Sequence, residues 1–554
     1  MTQDQLAQIL PLVQKPARYI GNELNSIHKD WDKAAIKVAL AYPDLYEIGM
    51  SNLGIQILYH ILNQPEDVLC ERVFAPWPDM EGQLTTNDLR LTTLESQKPL
   101  NQCDLLGISL GHELTYTNII TMLKLGGIPV HAKDRTDKDP LVMGGGPCAY
   151  SPEPVADFFD FFVIGEAEEV IVEIVDCLRK LKAVPAGRQV ESRKLKVREL
   201  AKIPGIYVPG HSDKATKRLI RDLSSVPYPL SPIVPFIETV HDRAVIEIMR
   251  GCPWGCKFCQ AGWTSRPVRH RDKETICNYA DAILKNTGYE ELSLVSLSSS
   301  DHPQIAEIAK TLACKYEKAR INISLPSMRT NTFTLQLAKE ITRVRPSGVT
   351  LAPEAGTQRL RDVIGKNMTE EHILEGVRSA FAEGASSIKL YFMLGLPTET
   401  EEDLLGICRL SKEILALGKS FSKRINISVN LATFIPKPHT PFEREQQISI
   451  AETLQKQQFI KDNLKVRGIE VRWHGAEASF LEGVFARGDK QLSKVIEKAW
   501  DLGARFDAWS EQFKVDLWQK AFADCGIDPN QYLRERDKNQ PLPWDYINTG
   551  VPKV

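Results

Sequence analysis

Short apolar runs alternate with amphipathic stretches along the first third of the chain. AAIKVALAYP (Ala34–Pro43) reads as an apolar strand, followed after a turn by the helix-like NLGIQILYHILN. DLLGISL (Asp104–Leu110) precedes the helical TYTNIITMLKLGG, PLVMGGGP runs into a glycine turn, and FFVIGEAEE leads into the helix VIVEIVDCLRKL. Strands separated by helices predict a doubly wound parallel sheet over residues 1–179. The pattern breaks over 180–238, where a polar charged stretch and the proline-rich SSVPYPLSPIVPF predict an extended linker. Within it, GIYVPG and TKRLIRDL read as a hairpin packed on the next domain.

A second alternating series fills residues 239–473. Its strand candidates are RAVIEIMR, LSLVSLSS, INISLPS, GVTLAPE, SIKLYFML and NISVNLATF. Such a series fits a full or partial parallel α/β barrel, with its chemistry at the C-terminal ends of the strands. The tail, 474–554, is helical and aromatic, with Trp500, Trp509, Trp518 and Trp544 off any single helix face; it reads as a helical cap on the barrel. The fold class is therefore α/β throughout.

Length agrees with several domains, since 554 residues exceed the roughly 250–300 that one core spans. Lys and Arg number 69 against 71 Asp and Glu, so the net charge is −2. That excludes a basic field over the whole chain and leaves nucleic-acid binding to a local groove. No apolar run reaches about 18 residues, so no membrane span is expected. MTQDQLAQILPLVQ lacks the basic start and apolar core of a signal peptide. The 11 Cys are mostly scattered, which suits a reducing, cytoplasmic setting rather than a disulfide scaffold.

One cluster of Cys stands out: RGCPWGCKFCQAG, directly after RAVIEIMR, puts Cys252, Cys256 and Cys259 on one short loop. Thiolates are the ligands of iron–sulfur clusters. Three of them leave one of four irons open to bind another molecule, as catalytic metals keep an open position. A structural zinc site would need a fourth ligand, for which His270 is the candidate; a ferredoxin-like cluster would need a fourth Cys, and none is nearby.

This loop resembles the signature of the radical S-adenosylmethionine (SAM) superfamily. The resemblance implies a [4Fe–4S] cluster on the three Cys, SAM on the open iron, and reductive cleavage of SAM to a 5′-deoxyadenosyl radical. It implies further that Phe258 packs near adenine and that the segment Ser298, Ser299, Ser300, Asp301 faces the SAM amino group, although many relatives carry Gly-Gly-Glu there. It places Arg329 against the SAM carboxylate and Glu354 against the ribose or methionine part. Gly395 and Pro397 would shape a turn beside adenine. An electron donor of flavodoxin or ferredoxin type is the implied partner. These are cofactor-binding candidates, and no catalytic residue is assigned.

The order of domains resembles the cobalamin-binding class of that superfamily. There a D-x-H-x-x-G motif supplies a His to cobalt. Here Asp44 to Gly49 reads D-x-Y-x-x-G, and Tyr46 stands where the His would be. A phenol is a poor ligand beside an imidazole. Cobalamin held without a lower protein ligand and a domain that has lost cobalamin both remain open at this point. Cys103 and Cys148 border strands of this domain and read as small buried residues. Three functions are expected: modification of RNA or a ribosomal component, such as methylation or thiolation; radical chemistry on a small metabolite or cofactor precursor; or a non-catalytic iron–sulfur protein.

Overall fold

Five of the six strands of the first sheet are short and deeply buried, as parallel strands covered on both faces are. They are β1 (Ile36–Tyr42), β2 (Val68–Phe74), β3 (Leu105–Ser109), β4 (Leu141–Gly145) and β5 (Phe161–Val163), joined by a sixth, β6 (Ile206–Tyr207). The computed structural model describes residues 2–182, 193–329, 337 and 349–551. Among these the strand order is β2-β1-β3-β4-β5-β6, parallel except for the antiparallel β5–β6 pair. The order 2-1-3-4-5 is that of the doubly wound folds whose ligand crevice opens between the C-terminal ends of β1 and β3.

The chain forms two units. The first is Met1–Asp242 with Val484–Pro529 and Pro541–Gly550; the second is Arg243–Gly483 with Asn530–Gln540. The tail therefore departs from the expected cap on the barrel: most of it belongs to the first unit. The reason is its polar aromatic residues, which find partners there. The Trp500 indole donates to Thr121 Oγ1 at 2.7 Å, and the Trp509 indole donates to Asp44 Oδ1 at 2.8 Å. The linker differs too. Residues 183–192 lie outside the described residues, but β6 pairs with β5, and β7 (Ala215–Thr216) pairs with a strand of the tail at Ile547–Asn548. The expected hairpin is thus bound to the first unit. The proline stretch is tied there as well, since Asn25 Nδ2 donates to Pro232 O at 3.0 Å.

In the second unit β8 (Ala244–Glu247), β11 (Glu291–Val295) and β12 (Asn322–Ser324) form one parallel sheet, in the order β12-β11-β8. The two-residue strands β9 (Met249–Arg250) and β10 (Arg269–His270) form a small antiparallel pair between β8 and β11. A second parallel sheet runs β13 (Val349–Glu354), β14 (Ser387–Leu394), β15 (Asn426–Thr433), β16 (Ile469–Trp473). Each expected barrel strand is present, and the arrangement is that of a partial barrel. Along β14 burial alternates: Ile388, Leu390, Phe392 and Leu394 are buried, while Lys389 and Tyr391 are exposed. Period-two alternation means one face of this sheet packs and the other is open. Among the described residues no helix is long and apolar enough to cross a membrane.

Candidate active site

The cysteine loop is closed at its base. Arg250 pairs with Arg269 and Met249 with His270, so both ends of the loop are held by β9 and β10. Gly251 opens the loop at φ +89°, and a Cβ there would sit 2.6 Å from the Pro267 carbonyl, which accounts for glycine at that position. Inside the loop the Trp263 indole donates to Cys256 O at 2.9 Å, and Arg266 Nη2 donates to Trp254 O at 2.8 Å. Cys259 caps the helix Gln260–Thr264, its sulfur accepting from Gly262 N at 3.3 Å. Lys257 N donates to Ile364 O at 2.9 Å, which fastens the loop to the segment beyond β13.

Burial pushes the Cys259 thiol up to about 11 and raises that of Cys252. The two therefore carry protons until a metal takes them as thiolates.

The residues expected at other strand ends gather near this loop. Asp301 and Arg329 act electrostatically on Cys252, and Glu354 on Cys259. Ser298, Ser299 and Ser300 are all buried. Ser298 Oγ donates to Asp301 Oδ2 at 2.5 Å, Ser299 Oγ donates to Leu294 O at 3.0 Å, and Ser300 Oγ accepts from Arg329 N at 3.0 Å. These hydroxyls shape the loop, and Asp301 is the charged group it carries. Glu354 ends β13 at φ +67°, a conformation rarely adopted by a side-chain-bearing residue, and its carboxylate meets Lys366 Nζ at 3.0 Å. Phe258 packs on an apolar cluster of Ala355, Leu360, Ile364, Leu396, Phe434 and Phe442. Leu396 lies between Gly395 and Pro397, so the structure brings Phe258 to that turn. The Gly395 amide donates to the Glu399 carboxylate at 3.0 and 3.1 Å, which holds the turn in shape. Two residues that the sequence reading left out, Trp254 and Lys366, complete the setting. Trp254 was within view, between Cys252 and Cys256; Lys366 had no motif to mark it.

In the first unit the D-x-Y-x-x-G residues are occupied otherwise. The Tyr46 hydroxyl donates to Glu23 Oε1 at 2.7 Å, inside a buried group with Arg72. Asp44 Oδ1 accepts from the Trp509 indole at 2.8 Å. A Cβ on Gly49 would fall 2.2 Å from the Phe74 ring, so packing explains this glycine. At the β1/β3 crevice, Phe506 N donates to Asn118 Oδ1 at 2.9 Å and Thr117 Oγ1 to Asp507 Oδ2 at 2.7 Å. Burial pushes Asp507 up to about 6. The chain's own tail bonds to residues that follow β1 and β3, where such folds hold a ligand. With its hydroxyl held by Glu23, Tyr46 offers no lower ligand to cobalt. Cys70 lies within β2, Cys103 before β3 and Cys148 after β4, so these three stand at different levels of the sheet.

Residues 54–209 match the family model described as radical SAM proteins, N-terminal, and residues 246–411 match that of the radical SAM superfamily. An uncharacterised protein of Methanocaldococcus jannaschii is 28% identical over 90% of this chain and 98% of its own length. An uncharacterised methyltransferase of Pyrococcus horikoshii is 24% identical over 56% of this chain and 64% of its own. Among solved structures, the radical SAM methyltransferase TsrM of Kitasatospora setae, with cobalamin and a [4Fe–4S] cluster bound, aligns at TM-score 0.50 and 14% identity over 71% of this chain and 74% of that one, a likeness of fold. The chain belongs to the radical SAM superfamily, as an enzyme whose fold implies a [4Fe–4S] cluster and SAM as cofactors.

Proposed function

We propose that Cys252, Cys256 and Cys259 hold three irons of a [4Fe–4S] cluster, that SAM binds the fourth, and that the enzyme modifies RNA or a ribosomal component, by methylation in the first instance. The observation that carries this reading is the set of three thiols on one closed loop, with charged groups from three other strand ends beside them. When bound and reduced, the cluster and SAM supply a carbon-centred radical that abstracts hydrogen from a substrate. The chain's own residues bind and shield. Asp301 offers a carboxylate to an ammonium group, and Glu354, held by Lys366, offers a second acceptor. Phe258 and Leu396 form an apolar wall for a flat base and keep water from it.

Methylation is favoured over thiolation for two reasons. The relative named as a methyltransferase matches 56% of this chain, whereas those named as tRNA-2-methylthio-N(6)-dimethylallyladenosine synthases match 38% or less. Cys70, Cys103 and Cys148 are also too dispersed across the first sheet to share a second cluster. A small-molecule substrate is the second reading, favoured by the net charge of −2, which provides no excess of cations for a polyanion. The electron donor is of flavodoxin or ferredoxin type, and the setting is the reducing cytoplasm. Anaerobically reconstituted protein given dithionite and SAM is expected to release 5′-deoxyadenosine, measured by liquid chromatography and mass spectrometry. Protein with its full complement of iron that makes none would end this reading. Label from methyl-tritiated SAM appearing in an added RNA fraction, rather than in small molecules, separates the two substrate classes.

The tail residues bonded behind β1 and β3, with Tyr46 held by Glu23, extend the proposal: the enzyme works without cobalamin. Holoenzyme incubated anaerobically with hydroxocobalamin and desalted is expected to show cluster absorption alone. Stoichiometric retention of the corrin spectrum would overturn it.

A further inference from the structure

We propose that Arg329, lying over the Trp254 ring, sets the reduction potential of the cluster through the Cys256 sulfur, instead of gripping the SAM carboxylate. This rests on the cluster assignment above. Arg329 leaves the end of the β12 segment and is 8% exposed. Its Nη1 donates to Cys256 Sγ at 3.8 Å, and its Nη2 donates to Lys366 O. The guanidinium carbon lies 4.1 Å from the centre of the Trp254 ring. The face of a Trp ring attracts a guanidinium, more so where water is excluded.

Trp254 is itself fixed. Its indole donates to Asp301 Oδ2 at 2.5 Å, and the same oxygen accepts from Ser298 Oγ at 2.5 Å. The guanidinium therefore touches both the fixed ring and the Cys256 sulfur. A lysine, a point charge on a flexible stem, would not reproduce this geometry. Arg329 also acts on Cys252, where Asp301 opposes it, and Glu354 acts on Cys259.

The consequence is electrostatic. Reduction takes one electron from the external donor onto the cluster and moves no atoms. The added negative charge is favoured by a buried cation that hydrogen-bonds a ligand sulfur, and hydrogen bonding to sulfur is among the determinants of cluster potential. A charge-assisted hydrogen bond contributes enough to change such an equilibrium about tenfold. Arg329 is on this account a positioning residue for the electron rather than for the substrate.

The test is a potentiometric titration of the reconstituted cluster, followed by EPR without SAM. Arg329→Met is expected to keep its iron and sulfide while the ratio of reduced to oxidised cluster at fixed potential falls about tenfold, a midpoint about 59 mV more negative. Arg329→Lys should fall between. Trp254→Phe, which keeps a ring face and loses the indole N–H, should move the midpoint in the same direction by less. A full cluster at the unchanged midpoint in Arg329→Met, with weakened SAM binding, would overturn the proposal and return Arg329 to the SAM carboxylate. Should Arg329→Met lose its cluster, unchanged midpoints in Arg329→Lys and Trp254→Phe would overturn it equally. A wild-type protein without iron would instead defeat the cluster assignment itself.

Discussion

Replacing Cys252, Cys256 and Cys259 together by Ala is expected to take the iron content from about four per chain, with as many sulfides, to none. SAM cleavage should fall below detection with it. The three thiols are brought together on one loop, while the other Cys are dispersed through both units. Once they are gone, the loop's surroundings offer carboxylates, hydroxyls and a guanidinium, which do not replace soft thiolate ligands. The fold should survive, because the loop is tied by the β9–β10 pair and by backbone bonds that need no metal. Iron and sulfide assays on anaerobic protein, with circular dichroism as the control for folding, decide the matter. Iron retained by a folded triple variant would sink the assignment of these ligands.

Arg72→Met should produce the largest loss of stability. Arg72 lies in β2 with its side chain 1% exposed, between two carboxylates equally buried: Nη2 meets Glu23 Oε2 at 2.7 Å and Nε meets Glu95 Oε1 at 2.7 Å. Removing one partner of a buried ion pair leaves uncompensated charge and costs about 3–5 kcal/mol. Burial pushes Glu23 up, but the charge and hydrogen bonds of Arg72 outweigh it and hold that carboxyl below its usual range. In the wild type this contribution is present at neutral pH and is lost as pH falls through the lowered value. In the variant burial, the largest influence on Glu23, is opposed chiefly by the Tyr46 hydroxyl, so the folded state binds the proton more tightly than the unfolded chain and stability rises as pH falls. The gap between the two proteins should therefore narrow from pH 7 toward pH 5. Urea unfolding followed by fluorescence at both pH values measures it; a midpoint unchanged at pH 7 would refute the account. Arg72→Met combined with Glu23→Gln and Glu95→Gln should recover much of the loss, since it removes the stranded charges.

The same residue explains a strand that pattern reading missed. VLCERVF, β2, is buried along its whole length, yet Glu71 and Arg72 interrupt its apolar run. Their partners lie far off in sequence: Glu23 and Glu95 for Arg72, and Ser96, whose hydroxyl donates to Glu71 Oε2 at 2.7 Å. A window of neighbouring residues cannot see that such charges are satisfied. The strand β16, IEVRW, was missed for a different reason. It is a half-exposed edge strand whose Glu470 and Arg472 pair with each other, so its apolar signal is weak. The six barrel strands that were read correctly are those with unbroken apolar alternation.

Local chemistry settled much from the sequence alone. The alternation of strands and helices, the thiol spacing and the position of the loop after β8 are properties of contiguous residues, and they determined the fold class and the family. The fate of D-x-Y-x-x-G was also half visible, because the substitution of Tyr for His is local. What Tyr46 does instead depends on Glu23 and Arg72, and what engages Asp44 is Trp509, 465 positions away. The partners of Arg329 likewise come from separate segments, Trp254, Cys256 and Lys366. Pairings of that kind carry no periodicity, because burial of a polar side chain is decided by whichever distant group can satisfy it. Only the folded chain shows which group that is.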